Sequence, residues 1–313
     1  MRVTEIRQLT DRIRALRLAR VDGEPIPSFR GGAHVDLASS AGIARQYSIC
    51  SPPGDRESIV VAIKLEEQSR GGSAAMHAVV EGEVLEMTGP RNLWSLETAA
   101  SRHVLVAGGI GLTPVLSMAY EASALGEPFV LHYFARSRED AAFLEVLETD
   151  PALARAVHAH LGIDRDEQAE VLSAIAASAA PGEHVYACGP VGFMAAVESA
   201  VVPVVGADAF HVEHFVPIDA DHGEASAFTV ELDTGETYEV PADRSIISVL
   251  EEQGIQVFKS CEEGVCGSCI SGVIDGVPDH RDSCLTAAER AAGDRVAICV
   301  SRALTPRLVI ELY

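Results

Sequence analysis

The chain has 313 residues, 48% of them apolar, and its 46 acidic against 24 basic side chains give a formal charge of -22. That apolar content supports a large core and two or three domains of about 100 to 150 residues each, and it excludes a disordered or fibrous protein. Acidity on this scale excludes nucleic-acid binding, which needs clustered Lys and Arg, and fits either a basic partner or plain solubility.

No run reaches the ~18 uninterrupted apolar residues of a membrane span. The start, MRVTEIRQLT, lacks the basic-then-apolar plan of a signal peptide, so the cytoplasm is the expected compartment. Seven cysteines in that setting read as ligands or buried thiols.

The first ~100 residues carry short apolar runs separated by Gly and Pro clusters, the pattern of a small sheet or barrel. The runs are His34-Val-Asp-Leu37, Tyr47-Ser-Ile-Cys50 and Ser58-Ile-Val-Val-Ala-Ile63. Ser73 is expected to cap a short helical run from Ala74 to Val80.

From His103 the texture changes. His103 to Ala107 predicts a strand, Gly108 and Gly109 follow, and a helix from Val115 to Leu125 is expected with Thr113 at its N-cap, Pro114 at its first position and Gly126 as its stop. Strands at Phe129 to Phe134, Val157 to His160 and His184 to Ala187 then alternate with helices at Ala141 to Glu148, near Glu170 to Ser178 and from Phe193. Such alternation implies a doubly wound parallel sheet.

Residues 217–226 (PIDADHGEAS) read as a linker. A hairpin, Phe228 to Leu232 and Glu236 to Val240 around Asp233-Thr-Gly235, precedes a helix of about Ser245 to Gln253 that Gly254 terminates.

The helix leads into Cys261-Glu-Glu-Gly-Val-Cys266-Gly-Ser-Cys269, the C-x4-C-x2-C spacing of plant-type ferredoxins, with Cys299 as a distant fourth thiolate. Gly264 and Gly267 allow the sharp turns that wrapping a [2Fe-2S] cluster requires. Zinc usually takes paired C-x2-C knuckles, so zinc and a disulfide framework are the weaker alternatives. Cys50 and Cys284 read as buried small hydrophobes. Cys188 ends a strand ahead of Gly189-Pro190, where α/β sheets bind ligands.

Gly108-Gly109-Ile-Gly111-Leu-Thr113-Pro114 lies between a strand and a helix, where backbone amides can face a pyrophosphate. It departs from G-x-G-x-x-G because a proline takes the third glycine's place, so a plain tight turn remains open. A nicotinamide delivers two electrons together, whereas a [2Fe-2S] cluster takes one, so a chain with both sites needs a carrier that splits the pair. A flavin does so.

With these motifs the sequence resembles the phthalate dioxygenase reductase family, which includes the reductases of vanillate O-demethylases. The match runs over essentially the whole chain and rests on Arg45-Gln-Tyr47-Ser48, Ala62-Ile63-Lys64, Arg70-Gly71-Gly72-Ser73, the cysteine loop, Asp279-His-Arg-Asp282 and Ile298-Cys-Val-Ser-Arg302. The resemblance implies an antiparallel flavin-binding β-barrel over 1–99, a nicotinamide domain over 100–216, the linker, and a β-grasp ferredoxin over 227–313.

It implies FMN, held through Arg45, Tyr47, Ser48, Ile63, Lys64, Gly71, Gly72 and Ser73, with Thr113 near the reactive edge and Phe215 stacked on the ring. It places the nicotinamide nucleotide at Gly108, Gly109, Gly111, Arg136, Cys188, Gly189 and Pro190, with Cys188-Gly-Pro190 bordering the nicotinamide. After Phe134 the chain reads Ala135-Arg136-Ser137-Arg138, and two arginines there suit a 2′-phosphate. The family mostly uses NADH, so NADH is expected and NADPH is the alternative.

The function implied is an NADH-dependent reductase that passes electrons to FMN, to the cluster and then to a separate Rieske-type oxygenase, as a monomer. The acidic face with Glu262, Glu263 and Asp275 would steer docking. No Cys-x-His pair is present, so the chain lacks Rieske ligands, and His211 and His214 read as structural. Reductase for a cytochrome P450 is the alternative; a diiron monooxygenase partner is disfavoured because its reductases usually place the ferredoxin first. A redox-sensing Fe-S module that binds a cluster without turning over NADH is a third reading.

Overall fold

The structure is a computed structural model that describes residues 1–38, 43–67, 71–217, 225–285 and 287–312. Arg70 and residues 218–224 of the expected linker lie outside the described residues. Two compact units are present, Met1–Glu213 and His214–Tyr313.

The first unit opens with β1 (Arg2–Thr10), β2 (Ile13–Ala19), β3 (His34–Ala38), β4 (Ala44–Ser48), β5 (Ser58–Lys64), a short helix α1 (Gly72–Ala78) and β6 (Glu86–Arg91). They form two antiparallel three-stranded sheets, ordered β1-β2-β5 and β4-β3-β6. Alternate residues point inward, so Leu16, Leu18, Val35, Leu37, Ile59, Val61 and Ile63 share one core. Leu16 is fully buried, and truncating it to alanine is expected to cost about 2–5 kcal/mol.

Two expectations shift here. The strand expected at Tyr47 to Cys50 occupies Ala44–Ser48, and Ile49 only bridges to Val61. Ser73 does not cap α1; Gly71 stands at the cap with φ +90°, a left-handed conformation open to glycine.

The rest of this unit is a parallel sheet of β7 (Arg102–Gly108), β8 (Phe129–Ala135), β9 (Val157–Leu161), β10 (Glu183–Cys188) and β11 (Phe210–Glu213). Its order is β11-β10-β7-β8-β9, so the chain runs outward from β7 and then crosses to the other side. Helices α2 (Leu112–Leu125) and α3 (Leu144–Thr149) cover one face through Leu105, Leu131 and Tyr133. Helices α4 (Arg165–Ala177) and α5 (Val191–Val205) cover the other through Val104, Val106 and Val185.

Helix α4 starts earlier than its apolar pattern suggests, because Asp164 accepts from Asp166 N and Glu167 N in a capping box. Helix α3 starts later than Ala141, because Phe143 is left-handed with φ 59°. Thr113 is not the cap of α2: the helix begins at Leu112 after a 3₁₀ turn over Gly109–Gly111, and Thr113 Oγ1 donates to Ile110 O at 3.0 Å. Gly126 closes α2 with φ 70°, as expected.

The second unit holds β12 (Phe228–Leu232), β13 (Thr237–Val240), α6 (Ile246–Glu252), β14 (Ile270–Asp275), β15 (Pro278–Asp279), α7 (Ala287–Ala292), β16 (Arg295–Ala297), β17 (Arg302–Ala303) and β18 (Arg307–Glu311). Its main sheet is mixed, ordered β13-β12-β18-β14-β16, with β12 parallel to β18. Ser245 caps α6 by accepting from Ser248 N, and Ile246, Ile247 and Leu250 bury against the sheet.

Candidate functional site

The order β11-β10-β7-β8-β9 makes the gap between β7 and β10 a switch point, where adjacent strands send their connections to opposite sides. Two loops meet at its carboxyl end. A Cβ on Gly111 would lie 2.3 Å from the carbonyl oxygen of Cys188, and one on Gly189 would lie 3.2 Å from Gly108 Cα. The turn Gly108–Gly111 and the segment Cys188–Pro190 therefore pack backbone to backbone, and only glycine permits the approach.

The Cys188 thiol is fully buried and held well above the usual thiol range by burial, then by the nearby Glu213. It therefore stays protonated at neutral pH. Glu213 is the strand partner of Cys188. Its Oε2 is enclosed with no hydrogen-bond partner, and burial pushes its carboxyl up to about 8. Nothing in the sequence around Glu213 signals this, since its burial depends on the neighbouring strand.

Arg45 and the glycines of α1 also come together. A Cβ on Gly72 would stand 2.6 Å from Arg45 Cγ, so the arginine stem lies on the Gly72 backbone. Arg45 Nη1 donates to Ala44 O at 2.6 Å. Ser73 Oγ accepts from Glu66 N at 3.1 Å, and Lys64 Nζ reaches Glu66 at 2.6 Å. Cation, glycine backbone and hydroxyl on one short stretch suit a phosphate.

Burial pushes the Tyr47 phenol up to about 12, and Ser48 is buried beside it on β4. The Ile63 side chain points into the core and its carbonyl pairs with His77 Nε2 at 2.9 Å, so only its backbone faces this region. Strand β5 runs beside the Gly109–Gly111 turn and also neighbours α1 and β4. Thr113 is buried at the start of α2.

In the second unit all four candidate cluster cysteines are buried. Among the described residues no group of three or more His, Cys, Asp or Glu side chains is arranged to hold a single metal ion. The thiols fall instead into two neighbouring pairs, Cys261 beside Cys266 and Cys269 beside Cys299. Two irons with two protein sulfurs each want this arrangement, so the donor set fits a [2Fe-2S] cluster. The neighbouring Cys261 lowers the Cys266 thiol, and the neighbouring Cys299 lowers Cys269.

The loop turns where expected: Gly264 has φ 73° and Gly267 φ 67°, and Glu262 also adopts a positive φ of 58°. Backbone and side-chain donors aim at sulfur, Glu263 N at Cys261 Sγ (3.3 Å) and Ser268 Oγ beside Cys266 Sγ (2.9 Å). Such donors stabilise thiolate charge.

Asp282 buttresses the loop. Its buried carboxylate accepts from Leu285 N at 2.9 Å and Ser301 Oγ at 3.2 Å, and a Cβ on Gly264 would sit 3.1 Å from its Cα. Arg302 is buried and donates to the carbonyls of Arg244, Ser226 and Pro241. Cys284 is half-buried, not fully buried as expected, and its thiol reaches Asp282 Oδ2 at 3.4 Å; Cys50 is buried.

Arg136 and Asp140 stand 3.6 Å apart at the end of β8, with Arg136 82% exposed. His211 stacks on Tyr186 at 4.7 Å and pairs with His184 at 2.8 Å. Phe215 lies in the second unit with 37% exposure. Among the described residues no helix is long and apolar enough to cross a membrane.

Residues 230–304 match the family model of the 2Fe-2S iron-sulfur cluster binding domain. The chain is similar to the vanillate O-demethylase oxidoreductase of Acinetobacter baylyi, 40% identical over 314 residues that cover 99% of this chain and 98% of that protein. Among solved structures, phthalate dioxygenase reductase, described as a modular structure for electron transfer from pyridine nucleotides to [2Fe-2S], matches with TM-score 0.72 and 35% identity over 99% of this chain and 97% of that one. An intact type IV self-sufficient cytochrome P450 monooxygenase matches with TM-score 0.89 and 37% identity, covering 99% of this chain. This chain spans 40% of that longer polypeptide.

Proposed function

Because the chain belongs to the family of phthalate dioxygenase and vanillate O-demethylase reductases, we propose that it is the NADH-dependent reductase of a Rieske-type aromatic oxygenase or O-demethylase. It is an oxidoreductase of the oxygenase-reductase class. Its working set is FMN, NADH and a [2Fe-2S] cluster: FMN, when bound, would supply the change from the two-electron chemistry of NADH to the one-electron chemistry that the cluster requires.

The chain's own residues position these groups. Arg45, Gly71, Gly72 and Ser73 hold the FMN phosphate, while Tyr47, Ser48 and the Ile63-Lys64 backbone support the ring, with Thr113 at its edge. The amides of Gly108, Gly109 and Gly111 face the nucleotide pyrophosphate, and Cys188, Gly189 and Pro190 border the nicotinamide. No acid or base is needed for hydride movement, so the protein contributes orientation and a dry, neutral wall at Cys188. Cys261, Cys266, Cys269 and Cys299 ligate the cluster. The domain plan is a flavin barrel over 1–99, a nicotinamide domain over 100–216, a linker, and a β-grasp ferredoxin over 227–313, working as a cytoplasmic monomer.

The observation that carries the reading is the set of four buried cysteines around a loop turned by Gly264 and Gly267, on a chain that also brings Gly111 against Cys188 at a switch point. The likeness to part of a self-sufficient P450 favours a second reading, a P450 as acceptor. Mixing the purified protein and NADH with a Rieske-type oxygenase and, separately, with a P450 tests the choice. Reduction of the Rieske centre supports the first reading, and reduction of the P450 haem alone overturns it.

A further inference from the structure

The loop after β8 pairs both of its arginines with carboxylates, Arg136 loosely and Arg138 closely. Between residues 136 and 150 the sequence places five carboxylates against two arginines. Arg138 is held in a bidentate pair, Nη1 to Glu148 Oε2 at 3.2 Å and Nη2 to Glu148 Oε1 at 2.6 Å. Asp140 faces Arg136 and donates its backbone N–H to Ser137 Oγ at 3.2 Å. Both members of the Arg138–Glu148 pair respond to it: the carboxyl of Glu148 is lowered and the guanidinium of Arg138 raised.

This loop lies where a dinucleotide's adenosine end belongs. Phe134 of β8 is the strand partner of Gly108, the residue that opens the glycine turn. In sheets of this kind the ribose is read at the end of the strand beside that turn, an acid accepting the 2′-hydroxyl and an arginine accepting a 2′-phosphate. An arginine fork can serve one carboxylate or one phosphate, not both at once.

Resting on the nicotinamide reading above, we propose that Glu148 is the residue that makes this site select NADH against NADPH, by occupying the Arg138 fork and presenting its own negative charge to a 2′-phosphate. Arg138 is thus a phosphate ligand held out of use. Discrimination comes from an opposing charge and not from a missing cation, which explains how a loop carrying two arginines still favours the unphosphorylated nucleotide.

Binding of 2′,5′-ADP and 5′-ADP, measured by calorimetry on the purified protein, reads this without turnover, and kcat/KM for NADPH and NADH with ferricyanide reads it in activity. Glu148→Gln and Glu148→Ala should each tighten 2′,5′-ADP by about fivefold to twentyfold and raise kcat/KM for NADPH in step, with 5′-ADP and NADH changed less than about twofold. Adding Arg138→Ala to Glu148→Ala should abolish the gain, while Arg138→Ala alone should leave 2′,5′-ADP binding nearly as in the unaltered chain. Unchanged 2′,5′-ADP binding in both Glu148 variants, with NADH still oxidised, overturns the assignment and leaves the reductase reading intact. Oxidation of neither nucleotide by the unaltered protein removes that reading as well.

Discussion

The carboxylate of Glu121 on α2 grips Arg30, accepting from its Nε at 2.9 Å, and takes the neighbouring Gly31 N–H at 2.9 Å through its other oxygen. Gly32 N adds a bond to Ser117 Oγ on the same helix at 2.9 Å. The helix that begins at the glycine turn is thereby tied to the antiparallel sheets that carry Arg45. Glu121→Ala is expected to destabilise the protein by about 1.5–3 kcal/mol in urea unfolding, since it strips two charged hydrogen bonds from a largely buried carboxylate. It should also slow flavin reduction by NADH more than it alters flavin content. An unchanged reduction rate would show that this tie does not set the geometry.

The contact between Gly72 and Arg45 yields a sharper test. Gly72→Val must push Arg45 off the backbone, because a Cβ there meets the arginine stem at 2.6 Å. FMN retention after gel filtration should fall at least about tenfold, the loss expected for one charge-assisted phosphate contact. Iron content should not change. A variant that keeps its flavin would place the phosphate elsewhere.

Asp282 should matter to the cluster although it is no ligand. Asp282→Ala removes the acceptor of Leu285 N and of the Ser301 hydroxyl, costing about 1.5–3 kcal/mol locally. Iron and sulfide per chain should drop with FMN content unchanged; full cluster occupancy would contradict the buttress.

Glu213 predicts a pH dependence. Its carboxyl titrates near 8 when folded, against an ordinary value of 4.5. The folded state therefore holds a proton that the unfolded state releases between those values. Stability from this group is complete below about 4.5, declines by about 1.4 kcal/mol per pH unit at most as pH rises, and levels off above about 8. Glu213→Gln should flatten that slope and gain on the unaltered protein at pH 8. Parallel pH curves for the two would contradict the assignment.

Salt separates docking from internal transfer. Glu262 is paired with Lys259 and Asp275 with Arg307, so the expected acidic face is weaker than its count of acids suggests. Reduction of the oxygenase should still fall severalfold as the screening length shrinks from about 30 Å at 0.01 M to about 10 Å at 0.1 M salt, while NADH-to-ferricyanide turnover holds. Equal sensitivity of both assays would remove the steering role.

Much of this was legible in sequence because the signals are local. The C-x4-C-x2-C spacing, the strand-helix alternation after His103 and the stop at Gly126 each depend on near neighbours. What failed was of two kinds. Thr113 and Ser73 have the composition of helix caps, yet the 3₁₀ turn over Gly109–Gly111 and the left-handed Gly71 take that position, so their hydroxyls turn to other partners. Arg30 with Glu121, Asp282 with Ser301, and Glu213 against Cys188 are long-range meetings of ordinary residues, and no spacing rule encodes them. Arg138 was visible as a cation but not as an occupied one, because Glu148 arrives from the far end of α3.

Anaerobic titration of the purified protein with NADH tests most directly whether one chain carries electrons from a nicotinamide nucleotide through a flavin to the thiol-bound cluster. The flavin band should bleach together with the appearance of the low-temperature EPR signal of a reduced [2Fe-2S] cluster, a signal that Cys299→Ser should alter or abolish. A cluster that stays oxidised while NADH is in excess would contradict that path.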